Sequence, residues 1–173
     1  MKKISIAVLL ASAAVSSAAF AADQGFYVGG NVGQASTNFT GLTSKTATAV
    51  SVLGGYQINK NFAVEAQYGD FGSITPNGGT SAKITEYGVS AVGMLPFSDQ
   101  WTGLVKLGYA NTSIATNPNT SNNSVSYGLG VQYNVNQQLG VRAGYDAYKV
   151  GGTNTNNTTA TTGVASVGVV YKF

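Results

Sequence analysis

The chain has 173 residues, of which 9% are charged, with a formal charge of +3 and neither cysteine nor histidine. A soluble barrel needs a surface about 25–35% charged, so this composition excludes one and suits a surface that faces lipid, where charge is costly. Lacking Cys and His, the chain also excludes disulfides, histidine- or thiol-based triads and the common transition-metal sites.

At the N-terminus, Lys2 and Lys3 precede an apolar run from Ile4 to Val15 and the small-residue pattern Ala19-Phe20-Ala21. That order predicts a secretory signal peptide over residues 1–21, cleaved after Ala21, because the apolar run is shorter than the 18 or more residues a helical span requires. Removing Lys2 and Lys3 takes the charge from +3 to +1, so most of the basic character belongs to the leader. The remaining residues, 22–173, fit one domain.

Within that domain, apolar-patterned segments alternate with polar punctuation. The pattern predicts eight strands near residues 25–36, 47–58, 62–72, 84–96, 101–113, 124–135, 139–149 and 163–173. Short turns are expected at Asn59-Lys60-Asn61, Phe97-Ser98-Asp99-Gln100 and Asn136-Gln137-Gln138. Long connections rich in Thr, Asn, Ser and Gly are expected over 37–46, 73–83, 114–123 and 150–162, and they bury too little apolar surface to order themselves. With eight strands, the short turns fall on the same side as both termini and the long loops on the other.

Period-two reading separates two faces. Three hairpins look like copies of one another, and in each a charge (Glu65, Lys106 or Arg142) sits three residues before a tyrosine (Tyr68, Tyr109 or Tyr145). Three residues along a strand means opposite faces. Glu86 and Asp146 follow the same rule, so the five charges share the face opposite the apolar rows. Aromatics gather near strand ends: Phe62, Trp101, Tyr133, Tyr171 and Phe173 on the turn side, and Tyr68, Phe71, Tyr87, Tyr109, Tyr127 and Tyr145 on the loop side. Two rims of aromatics are what a membrane span carries at its interfaces. The expected fold is therefore all-β, an eight-stranded antiparallel up-and-down transmembrane β-barrel with short periplasmic turns and long extracellular loops.

The leader, the eight strands, the inward charges and the terminal Tyr171-Lys172-Phe173 together resemble the small outer-membrane barrels of the OmpA-like and OmpX-like family. The resemblance implies Sec-type export to the outer membrane of a Gram-negative bacterium. It also implies that Val169, Tyr171 and Phe173 form the assembly signal read by the barrel assembly machinery. The chain stops at Phe173, so the peptidoglycan tethering of full-length OmpA is not carried over.

Some barrels of this size are lipid A deacylases or acyltransferases, which depend on histidine; here a Ser–Lys pair or a carboxylate dyad drawn from Glu65, Glu86, Asp146 and Lys106 is the only catalytic alternative left. The expectation is a protein that is not an enzyme, needs no cofactor and binds no nucleic acid. Eight strands leave an interior that side chains just fill, and Gln57, Gln67, Gln132, Arg142 and Tyr148 lie on its face. Envelope structure or adhesin-like surface interaction is therefore the expected role, with a narrow or gated small-solute channel, porin-like, as the alternative. Partners would be outer-membrane lipid and lipopolysaccharide, the latter through Lys45, Lys83 and Lys149 at the loop-side rim, and a host or cell-surface ligand met by the four long loops. Inside, Glu65 and Arg142 should meet across the lumen at one depth, with Lys106 bridging to Glu86 and Asp146.

Overall fold

The computed structural model describes residues 24–38, 46–74, 82–115, 120–150 and 160–173. They form eight strands: β1 (Gly25–Asn38), β2 (Thr46–Asn59), β3 (Phe62–Ile74), β4 (Ala82–Pro96), β5 (Trp101–Ala115), β6 (Thr120–Asn134), β7 (Leu139–Val150) and β8 (Ala160–Lys172). Each pairs antiparallel with its sequence neighbours, and β1 pairs with β8, for example Val32 with Val167, which closes the barrel. Closure removes the exposed edges that the first and last strands would otherwise present. Residues 1–23, which include the expected signal peptide, and the central parts of the four long connections lie outside the described residues.

All eight strands fall where the alternation puts them, and the loop-side ends run further than the apolar pattern does. β6 begins at Thr120 and β8 at Ala160, so Thr, Asn and Ser segments taken as loop continue the ladder, as in Thr112 opposite Asn122. Backbone pairing in an antiparallel ladder needs no apolar side chain, and hydrophobic periodicity therefore reads the lipid-covered part of a strand and stops short of its polar extension.

The three tight turns use one device. Asn59 Oδ1 accepts from the backbone N of Asn61 and Phe62 at 2.8 and 2.9 Å, and Asn136 Oδ1 accepts from Gln138 and Leu139 at 2.9 and 2.7 Å. Ser98 Oγ does the same for Gln100 and Trp101 at 3.3 and 3.0 Å. A short polar side chain at the first position captures the two amides that the reversing chain leaves without ladder partners. Asn59→Ala is expected to cost about 1 kcal/mol through these exposed bonds, seen as a small drop in the denaturant midpoint; a loss as large as that of a buried-charge deletion would mean that the turn carries far more of the barrel's stability than two exposed bonds supply.

Burial follows parity. Val32, Val50, Val105, Leu107, Leu129, Val141 and Val167 face outward and are exposed, whereas Glu65, Val92, Leu104 and Ala110 face inward and are buried. The inside is filled in three layers. Toward the turns, Tyr27, Leu53, Ala63, Val92, Met94, Leu104 and Val170 form one apolar cluster. Toward the loops, Ala35, Ala49, Phe71, Ala110, Tyr148 and Val164 form another. The charges lie between them. Phe71 corrects the expected loop-side rim: it stands three residues after outward Tyr68, hence on the other face, and its ring packs inside with centroid 5.7 Å from that of Tyr148.

Candidate functional site

The polar middle layer is built by strands on opposite walls. Glu65 on β3 and Arg142 on β7 are four strands apart around an eight-stranded ring, so they confront one another across the lumen. Arg142 Nη1 donates to Glu65 Oε1, and Tyr27 Oη donates to the same oxygen at 2.8 Å. The guanidinium carbon of Arg142 lies 5.8 Å from the Tyr27 ring centroid, within cation–π range. Gln132 Oε1 accepts from Arg142 Nε and Nη2 at 3.2 and 3.0 Å, so the fork donates to Glu65 through one arm and to Gln132 through the rest.

Lys106 on β5 occupies the centre. Its Nζ is 3.4 Å from Glu65 Oε2 and 3.6 Å from Asp146 Oδ1, and it donates to Gln67 Oε1 at 3.4 Å. Glu65 Oε2 makes no hydrogen bond but is within ion-pair distance of that ammonium. Glu86 differs from the expectation. It is buried to 2% exposure, its Oε2 has no hydrogen-bond partner, and the described residues show no ion pair between it and Lys106. Asp146 does meet Lys106 as expected, because Lys106 opposes Gly128 and Gly128 opposes Asp146, which puts the two charges on one row of the ladder.

Tyr27 was not legible as part of this group. It adjoins Phe26, and two neighbouring aromatics give no parity by themselves; the deciding signal is Gly55, its register partner, where a Cβ would strike the Tyr27 ring. Of the rim lysines, Lys83 and Lys149 fall on β4 and β7 opposite Ala115 and Thr161, and Lys45 lies outside the described residues.

Two interior cavities touch the polar layer, one of about 10 Å³ and one of about 20 Å³, both lined by Asn31, Asp146 and Ser166. Each is the size of a single water. One apolar cluster lies on the turn side of this layer and another on the loop side.

At the closing seam, the Phe173 amide donates to Phe26 O at 3.0 Å, and the rings of Tyr171 and Phe173 meet edge to face at 5.2 Å. Deleting Phe173 removes one bond of the seam and the last aromatic of the turn-side rim. A reduced amount of folded protein in the outer membrane is expected, read as loss of the fast-migrating band in unheated gels; unchanged yield would show that β8 directs assembly without it.

A closed eight-stranded barrel with an apolar outer wall and a paired polar core is a membrane architecture, and the comparisons agree. The family described as outer membrane protein beta-barrel domain matches residues 6–173. The chain belongs to that family. Outer membrane protein A of Salmonella typhi is 27% identical over 195 aligned residues, which cover 100% of this chain and 56% of that protein. The chain thus spans about half the length of this curated relative. Among solved structures, Neisserial surface protein A superposes with a TM-score of 0.70 at 22% identity, covering 86% of this chain and 97% of that one. The N-terminal barrel domain of Pseudomonas aeruginosa OprF gives 0.62 at 14%, covering 85% and 97%. Ail, the attachment invasion locus protein of Yersinia pestis, gives 0.57 at 16%, covering 87% and 98%. These three likenesses are of fold. This family member is an integral β-barrel of the Gram-negative outer membrane.

Proposed function

We propose that the protein is a non-catalytic barrel with a closed lumen that serves the envelope as structure and as a platform for surface interaction through its loop-side segments. The observation that carries this reading is the layered interior: an ion-paired middle between two apolar clusters. A pore must be hydrated along its length, and apolar constrictions dewet. Attachment, the role in Ail's name, would here fall to the residues near 37–46, 73–83, 114–123 and 150–162, with lipopolysaccharide phosphates held by Lys45, Lys83 and Lys149. The barrel assembly machinery would read Val169, Tyr171 and Phe173.

One observation favours a gated channel as the second reading: Lys106 stands nearly midway between Glu65 and Asp146, so its ammonium could change partners at little cost. Recording from the purified protein in planar bilayers separates the two. Silence over moderate voltages is expected, and discrete openings abolished by Lys106→Ala would move the assignment to the channel. The surface role is tested by comparing binding of the whole protein and of a loop-trimmed version to candidate cell-surface molecules; equal binding would remove the loops from the account.

A further inference from the structure

Of the five inward charges, Glu86 is left over by the network. Glu65 pairs with Arg142 and Asp146 with Lys106, so two carboxylates and two cations already balance. Glu86 stands on β4 opposite Gly69 and Thr112, one residue nearer the loops than outward Tyr87, and so at the level of the loop-side rim. It is nevertheless buried, and its two oxygens sit where glycines leave room: a Cβ at Gly88 would stand 3.0 Å from Oε1, and one at Gly69 would stand 3.3 Å from Oε2 and 3.1 Å from the Phe71 ring. Oε2 has no hydrogen-bond partner.

Lys106 on β5 and Asp146 on β7 face it from the middle layer without an ion pair among the described residues, and Tyr148 on β7 faces it from the loop-side apolar cluster. Gln67 on β3 lies beside the carboxyl and donates to Tyr148 Oη at 3.4 Å. Glu65 is four residues below Gly69, the register partner on β3, and Asp70 belongs by parity to the outer face. β1, β2, β6 and β8 add no titratable side chain at this depth. An isolated carboxylate in such surroundings is costly enough that the group neutralises instead. A calcium or magnesium ion would ask for about six oxygen ligands, and the described residues hold no group of three or more acidic, histidine or cysteine side chains. A proton asks for one oxygen.

We propose that Glu86 is a proton-binding site at the loop-side end of the barrel, a carboxylic acid in the folded protein that exchanges its proton with the external medium. Protonated, it completes the apolar layer of Phe71, Ala110 and Tyr148 without a charge. When the proton passes to water, a buried negative charge is left in that layer, and the cation facing it is Lys106, which Asp146 holds at 3.6 Å. Either the ammonium leaves Asp146 for Glu86 or water enters the layer, and both loosen the end of the barrel from which the long connections leave. External pH thereby sets how firmly that end is packed. The sign follows from linkage: the unfolded chain gives up this proton near the ordinary glutamate value of about 4.3, the folded barrel keeps it to higher pH, and stability falls as pH rises between the two.

Infrared difference spectra of the purified protein in lipid vesicles, taken between neutral and alkaline solution, read the proton directly. The parent should lose the carbonyl band of a protonated carboxyl, and Glu86→Gln, which keeps the shape and cannot ionise, should lack that band. Reversible unfolding over the same range reads the linkage. The folding equilibrium constant of the parent should fall by up to about tenfold per pH unit where one proton separates the two states, and Glu86→Gln should flatten that slope and be the more stable protein in alkaline solution. Absence of the band from the parent, its persistence in Glu86→Gln, or equal pH slopes in the two proteins would each overturn the proposal. A Glu86→Gln chain that cannot fold would overturn it as well, because the barrel would then need the charge; Glu86→Leu, apolar and of similar length, checks that result and should fold.

Discussion

Arg142→Ala is expected to lower the stability of the barrel by about 3–5 kcal/mol, because it leaves a buried carboxylate without its principal partner. Glu65 is 1% exposed and shares its Oε1 between Arg142 and Tyr27. With the guanidinium gone, Tyr27 still donates and Lys106 remains 3.4 Å from Oε2, but that ammonium is already shared with Asp146. Gln132 also loses the donor for its Oε1. Replacing both partners, Glu65→Gln with Arg142→Met, removes the uncompensated charge and should recover much of the loss, leaving Lys106 paired with Asp146. Denaturant titration of the folded band in unheated gels reads both variants. If the double variant were destabilised by the sum of the two singles, the pair would not be coupled, and a hydrated, conducting lumen would regain weight.

The sequence carried the architecture because the outer wall leaves little choice. Lipid on one side and a filled lumen on the other enforce period two over whole strands, so the phase of Glu65, Lys106, Arg142 and Asp146 against the tyrosines places them inside without coordinates. Depth along a strand was legible for the same reason, and it put Glu65 opposite Arg142. What parity does not contain is stagger. Neighbouring strands are offset around the barrel, and that offset sets which inward charges share a row; of the two carboxylates expected beside Lys106, it brings Asp146 within ion-pair distance and leaves Glu86 outside it. Phe71 was misread for a different reason: its position at a strand end suggested a rim aromatic, while its three-residue spacing from Tyr68 already placed it inside.

Val105→Arg should cost about 2–4 kcal/mol, and Asn111→Arg about 0–1 kcal/mol, because the penalty for a lipid-facing cation falls from the bilayer midplane to its edges. Both positions are on β5 and both face outward. Val105 lies midway between Trp101 and Tyr109, the two rim aromatics of that strand, with Leu129 as its exposed register partner. Asn111 lies one pleat beyond Tyr109, opposite Asn123, to which its amide donates a hydrogen bond. An arginine there can reach the headgroup layer, whereas one at 105 must stretch past outward Leu107 and Tyr109 or draw water into the apolar band. The neighbouring residue makes the comparison sharp: Lys106 is one position away and is accommodated because it points to Glu65 and Asp146 instead of lipid. A single step in sequence thus separates a cation that completes the core from one that opposes insertion. Reversible unfolding from lipid vesicles measures both substitutions, and equal costs at 105 and 111 would mean that the band between the two aromatic rims is not where the bilayer sits.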